Sequence, residues 1–110
     1  MRKISYPMVL AAALVFLSGP THAWDGILDG VIGAVEAVSI SPDSMDFRVH
    51  MTGSGRCNGR NWAYINLSAP NYHAVVATLL SAKTTKSSIY IYATRDSAGY
   101  CYIGDVSVYS

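Results

Sequence analysis

Groups able to do covalent or metal chemistry are sparse in this chain. Beyond Ala23 it offers two histidines, His50 and His73, and two cysteines, Cys57 and Cys101. No nucleophile, base and orienting group fall at a spacing that would assemble them. The His and Cys positions do not form a metal-ligand cluster, and no glycine-rich phosphate loop is present. The expectation is a protein that is not an enzyme and needs no cofactor. The aromatics carry more information. Trp24, Trp62, Tyr64, Tyr90, Tyr92, Tyr100, Tyr102 and Tyr109 exceed what one small core can bury. Beside Asn, Asp, Ser and Arg they suit sugar recognition, with rings on pyranose faces and polar groups on hydroxyls, or a subunit interface. The best candidate cluster is Asp29, Tyr90, Tyr92 and Arg95, which would supply a carboxylate for hydroxyls, rings for an apolar sugar face and a guanidinium for an acidic sugar's carboxylate. The plain alternative is a solvated strand face with an ordinary exposed arginine. Asn66-Leu-Ser68 matches a glycosylation acceptor, but that pattern is short and common.

These residues must be positioned by short strands and one helix. Trp24 to Gly30 reads as a glycine-containing lead-in. Val31 to Ser41 follows as a long strand, with Ile32, Ala34, Val38 and Ile40 on one face, Glu36 on that same face, and Gly33 where the strand must coil. Ser41-Pro42-Asp43-Ser44 is turn chemistry, with Asp43 able to bond its own backbone. Met45 to Thr52 is a second strand with Phe47, Val49 and Met51 inward. Trp62 to Leu67 is a third, with Ala63, Ile65 and Leu67 inward and Trp62, Tyr64 and Asn66 outward. Tyr72, Val75, Val76, Leu79 and Leu80 then mark one helix face, with Ser68 or Asn71 as N-cap and an end near residue 82. Ile89 to Thr94 alternates a core face with Tyr90 and Tyr92 outward. In Tyr100 to Tyr109 a bulge at Gly104 and Asp105 would bring Cys101, Ile103, Val106 and Val108 to one face. Three strands, a helix and two strands is the order of the OB-fold, a five-stranded Greek-key barrel. An open α+β sheet with the helix across one face is the alternative.

Arg2 and Lys3, the apolar run Met8 to Leu17 and Thr21-His22-Ala23 read as a signal peptide cleaved after Ala23, leaving residues 24–110 as one small domain. No other apolar run has membrane length. The expected location is therefore secreted or periplasmic, where Cys57 and Cys101 should form one disulfide. Removing Arg2 and Lys3 leaves six basic against seven acidic side chains, so the mature charge is −1 with histidines neutral. Arg48, Arg56, Arg60 and Arg95 are thus offset by carboxylates, and nucleic acid is not an expected partner.

Several stretches together resemble the subtilase cytotoxin B-subunit-like proteins. They are Trp24-Asp-Gly26, the long first strand, Cys57 before the Trp62 strand, the Asn71-Tyr72 helix with Leu79-Leu80, Ile89-Tyr-Ile-Tyr92 and Gly99-Tyr-Cys-Tyr-Ile-Gly104. The resemblance covers nearly all of the mature chain, through strands, aromatics and cysteines. It implies a secreted OB-fold domain that assembles as a pentameric ring and, as in the toxin members, binds sialylated glycans to deliver a catalytic A subunit. In those toxins the glycan site uses a serine shortly after an Asp-Gly pair in the first strand and a tyrosine of the fourth strand. Asp29-Gly30 matches the pair and Tyr92 is the nearest match to the tyrosine, but Ile32 or Gly33 stands where the serine would be. This chain is also shorter than the toxin subunits. The second reading is a stand-alone periplasmic or surface interaction protein on the same barrel, without a sugar site.

Overall fold

The computed structural model describes residues 24–38 and 41–109. The expected signal peptide, Ile40 of the expected first strand, and Ser110 lie outside the described residues. The elements are β1 (Gly26–Ala37), β2 (Phe47–Met51), β3 (Trp62–Ile65), α1 (Tyr72–Thr85), β4 (Ser88–Arg95) and β5 (Cys101–Val108). The fold is mostly β, a five-stranded sheet with one helix, in the expected order. β1 pairs antiparallel with β4 through its first half and with β2 through its second. β2 pairs with β3, and β4 with β5. β3 meets β5 in parallel at the single pair Tyr64 and Tyr102. Neighbours therefore run β1, β2, β3, β5, β4 and back to β1.

β1 starts five residues earlier than expected, so the supposed lead-in is its first half and Asp29 lies inside the strand rather than at its entry. The glycines hid the alternation: Gly26, Leu28 and Ile32 share the buried side, and Gly26 has no side chain to announce it. Its missing side chain is required, because a Cβ there would lie 2.6 Å from Cys57 Sγ and 2.8 Å from Cys57 Cα. Gly33 is the extra residue of a bulge, since Ile32 faces Met51 and Ala34 faces His50. The bulge reverses the parity beyond it. Val35 packs against the core, whereas Ala34 and Glu36, expected on the core side, are exposed.

Phe47, Val49 and Met51 from β2, Ala63 and Ile65 from β3 and Ile89, Ile91 and Ala93 from β4 enclose the core as their alternation requires. β3 is shorter than expected and ends at Ile65, so Leu67 is 51% exposed instead of inward. Tyr64 keeps its outward parity yet is only 6% exposed, packed edge-on against Tyr102. In α1 the buried line is Val75, Leu79 and Ala82, with Tyr72 and Val76 beside it, while Leu80 faces water. The helix lies against β1 and β5. Asn71 occupies the N-cap position without capping; its Nδ2 donates to the Gly104 carbonyl at 3.0 Å. The helix continues past residue 82 until Lys86 turns left-handed at φ 57° and returns its N–H to the Ala82 carbonyl.

In β5, Tyr92 faces Asp105 and Ala93 faces Ile103, which leaves Gly104 as the bulged residue. Cys101 and Ile103 are buried and Val106 packs on the core after the bulge, but Val108 is exposed at the strand end. A Cβ on Gly104 would come within 2.5 Å of the Trp24 ring. Cys57 and Cys101 form the expected disulfide, fully buried, with 6.3 Å between their Cα atoms.

Candidate functional site

The outward side chains of β1 and β4 make a first surface. Asp29 stands opposite Tyr90 and Ile27 opposite Tyr92; across β4, Ser107 and Asp105 flank the same two tyrosines. The rings form a continuous line, with Trp24 to Tyr92 at 5.9 Å, Tyr92 to Tyr90 at 6.2 Å and Tyr90 stacked on Tyr109 at 4.2 Å between centroids. Burial pushes the Tyr109 hydroxyl up, with the charge of Tyr90 and Asp29 adding to it. Asp29, Tyr90 and Tyr92 are thus brought together. Arg95 is not on their tier: it ends β4 on the opposite parity, pairs with Cys101, and has its backbone N–H held by Asp25 at 2.7 Å. At about 3.3 Å per residue it lies roughly 10 Å along the strand from Tyr92. Trp24, Ile27 and Tyr109 are exposed around the tyrosines, so the surface is more apolar than the four expected residues alone.

A second outward row crosses β1, β2, β3 and the β4–β5 turn. Glu36 Oε1 lies 2.6 Å from His50 Nε2. His50 stacks on Trp62 at 5.9 Å and Trp62 meets Tyr100 at 5.5 Å. The Arg60 guanidinium sits 4.6 Å above the Tyr100 ring, and its Nη1 donates to the Gly99 carbonyl at 3.1 Å. The His50 hydrogen bond holds the Glu36 carboxyl below its ordinary value against the opposing loss of water, helped by the charges of His50 and Arg48. The β1 bulge that turns Glu36 outward and the register placing His50 opposite Trp62 build this row. Sequence reasoning counted Trp62 and Tyr100 among the surplus aromatics but did not join them to Glu36, His50 or Arg60, although His50 and Trp62 share outward parity on neighbouring strands. One step further along the sheet, Arg48 faces Tyr64, and its buried Nε has no hydrogen-bond partner.

Two carboxylates fix the loops at the ends of the sheet. Asp46, 8% exposed, accepts the backbone N–H of Leu67 at 2.6 Å, Asp43 at 3.0 Å and Ser44 at 3.3 Å. It thus takes the turn role expected of Asp43, whose carboxylate receives Ser68 N–H instead. Asp96 accepts the Tyr64 hydroxyl at 2.5 Å and the N–H groups of Ala98 and Tyr100, both at 2.9 Å. The Leu67 bond, more than any other cause, lowers the Asp46 carboxyl, and the Tyr64 hydroxyl does so for Asp96. Burial, then the Asp96 bond, raises the Tyr64 hydroxyl. A carboxyl lowered in the folded state contributes stability above its unfolded value, here 3.8, and loses it as pH falls through the folded value. Urea midpoints are therefore expected to stay flat above about pH 5 and to fall below it, with Asp46→Asn removing part of that fall. An unchanged acid slope in Asp46→Asn would show that Asp46 is not a source of it.

Among the described residues no three His, Cys, Asp or Glu side chains gather so as to hold a metal ion. No helix among them is long and apolar enough to cross a membrane. No family model, curated protein or solved structure matches the chain.

Proposed function

We propose that this chain is a secreted or periplasmic glycan-binding domain of the toxin B-subunit type, a binding module and not an enzyme, with the sugar seated on Asp29, Tyr90 and Tyr92. The observation that carries it is the in-register tier itself, with a carboxylate directly opposite one ring and a second ring beside it. A pyranose needs that combination of apolar face and hydroxyl acceptor. The strand circuit returning to β1, with the helix against β1 and β5, supports the OB barrel over an open sheet. The buried disulfide is consistent with an oxidising compartment. Arg95, a strand's end away, is dropped from the sugar site.

Self-association into a ring is part of the same proposal, supported by the exposed Trp24, Ile27 and Tyr109. The pentamer and a catalytic A subunit come from the resemblance. That apolar rim also favours the second reading, a stand-alone interaction protein whose tyrosines meet another protein. A glycan array with the oxidised protein and with Tyr92→Ala separates the two. The expected result is a sialylated or other host-type glycan bound by the parent and at least about tenfold weaker in Tyr92→Ala, whose urea midpoint stays close to the parent's because the ring is outward. A blank array, or equal binding by both proteins, would reject the sugar site. A monomer mass by light scattering at tens of micromolar would reject the ring.

A further inference from the structure

We propose that Asn58 is a site of spontaneous covalent modification. Its side-chain amide is lost by attack of the Gly59 backbone nitrogen, and the carboxylate left behind draws Arg60 off the Gly99 carbonyl. The step does not depend on the β1 and β4 tier binding anything. Of the four asparagines in the chain, Asn58, Asn61, Asn66 and Asn71, only Asn58 precedes a glycine. It is also the only exposed one, since the other three are half-buried.

Asn58 and Gly59 are the two-residue tip of a turn closed by Cys57 N–H on the Arg60 carbonyl at 3.2 Å and Arg60 N–H on the Cys57 carbonyl at 2.9 Å. Both tip residues are left-handed, at φ 53° and 75°, which is the conformation that Asn-Gly suits. Gly59 is exposed, and its N–H has no backbone partner among the described residues, so a solvent base can reach it. A Cβ on Gly59 would meet nothing within 4 Å, so nothing crowds its nitrogen as it approaches Asn58 Cγ. The other three asparagines are followed by the large side chains of Trp62, Leu67 and Tyr72, which crowd that approach. They are also tied: Asn61 Nδ2 donates to the Met51 and Gly53 carbonyls, Asn66 Oδ1 accepts the Met45 and Asp46 N–H groups, and Asn71 Nδ2 donates to Gly104. Asn58 has the single tie from Nδ2 to the Gly99 carbonyl, at 2.9 Å, which must break before the ring can close.

The only co-reactant is water. Gly59 N gives its proton to solvent and bonds to Asn58 Cγ, the bond from Cγ to Nδ2 breaks, and Nδ2 leaves as ammonia. Water then opens the cyclic imide at Cγ, giving isoaspartate or aspartate according to which of its two carbonyl carbons is attacked. The geometry also fixes the consequence. One oxygen, the Gly99 carbonyl, accepts from both Asn58 Nδ2 and Arg60 Nη1, at 2.9 and 3.1 Å, so the two side chains are immediate neighbours. Conversion replaces the first donor with a carboxylate, which the carbonyl repels and the guanidinium attracts. No carboxylate among the described residues pairs with Arg60 as it stands, so nothing competes for it. The disulfide joins Cys57, beside the turn, to Cys101, two residues beyond Gly99, and keeps the new carboxylate within reach.

Peptide mapping of the oxidised protein after prolonged warming at mildly alkaline pH tests the site. The expected result is isoaspartate and a mass gain of about 1 Da in the peptide carrying residue 58, formed at least about tenfold faster than in any peptide carrying Asn61, Asn66 or Asn71. Gly59→Ala should slow the conversion several-fold. The site is overturned if residue 58 converts no faster than the other three asparagines, or if Gly59→Ala leaves its rate unchanged. Asn58→Asp then isolates the consequence. Arg60→Gln should lower the folding equilibrium constant at least about threefold more in Asn58→Asp than in the parent, and added salt should shrink that excess. Equal losses in the two backgrounds overturn the capture of Arg60. Should Arg60→Gln fail to fold, the salt dependence of the melts decides instead: a steeper loss with salt in Asn58→Asp than in the parent supports the capture, and parallel losses overturn it.

Discussion

Replacing both Cys57 and Cys101 with alanine is expected to remove about 4 kcal/mol of stability, from the entropy of a loop closed across 44 positions. For a domain of this size that loss corresponds to a fall of roughly 15–30 °C in melting temperature. The native geometry adds to the expectation, since both sulfur-bearing side chains are completely buried and part of the core. Thermal melts of the parent with and without reductant, beside the double alanine variant, measure it. A fall of only a few degrees would mean that the core holds the fold without the bond.

Gly26→Ala is expected to cost about 3 kcal/mol, at the upper end for an added methyl group in a packed site. Three atoms of Cys57, one of them backbone, would lie under 3.0 Å from the new Cβ. Neither side has room to retreat. Cys57 is held by the disulfide and by its paired bonds with Arg60, and the first half of β1 is held by its ladder to β4 and by Asp25 N–H on the Ala93 carbonyl. Gly53→Ala is the control, because a Cβ there meets nothing within 4 Å, and it should change stability by less than about 0.5 kcal/mol. Urea denaturation of the two variants compares them directly. Equal midpoints would show that the segment around Cys57 yields more easily than its bonds imply.

What could be read from the sequence follows from where side chains announce themselves. The alternations Phe47-Val49-Met51 and Ile89-Ile91-Ala93 are long and uninterrupted, and their core faces are where the pattern puts them. Gly104 was legible as a bulge because Cys101 and Ile103 fall out of step with Val106. The first half of β1 was illegible because Gly26 and Gly30 leave two positions on the parity of Leu28 without a side chain. Glu36 was misplaced because a one-residue bulge inverts every side chain beyond it. Leu67 was misread because a strand's end is set by capture of its N–H by Asp46, a contact 21 residues away. For the candidate site, parity was enough to put Tyr90 and Tyr92 together, and the β1–β4 register placed Asp29 beside them. The Glu36 to Arg60 row needed the bulge, the β2–β3 register and the disulfide all at once, none of which a local pattern encodes.

The single pair joining β3 to β5 is the thinnest seam in the circuit of strands, since every other junction is a longer ladder. The disulfide spans the two sides of that seam, from the segment leading into β3 to the first residue of β5. It acts as a clasp on a flap formed by β2 and β3. With the bond reduced, the seam would be held by that one pair and by the contacts of Tyr64 with Tyr102 and Asp96, and its opening would bare an unpaired strand edge and the buried Tyr64 beside it. Such an edge recruits further chains. In a reducing compartment that edge would be open to pairing with neighbouring chains, so the bond guards against such pairing as much as it guards the fold.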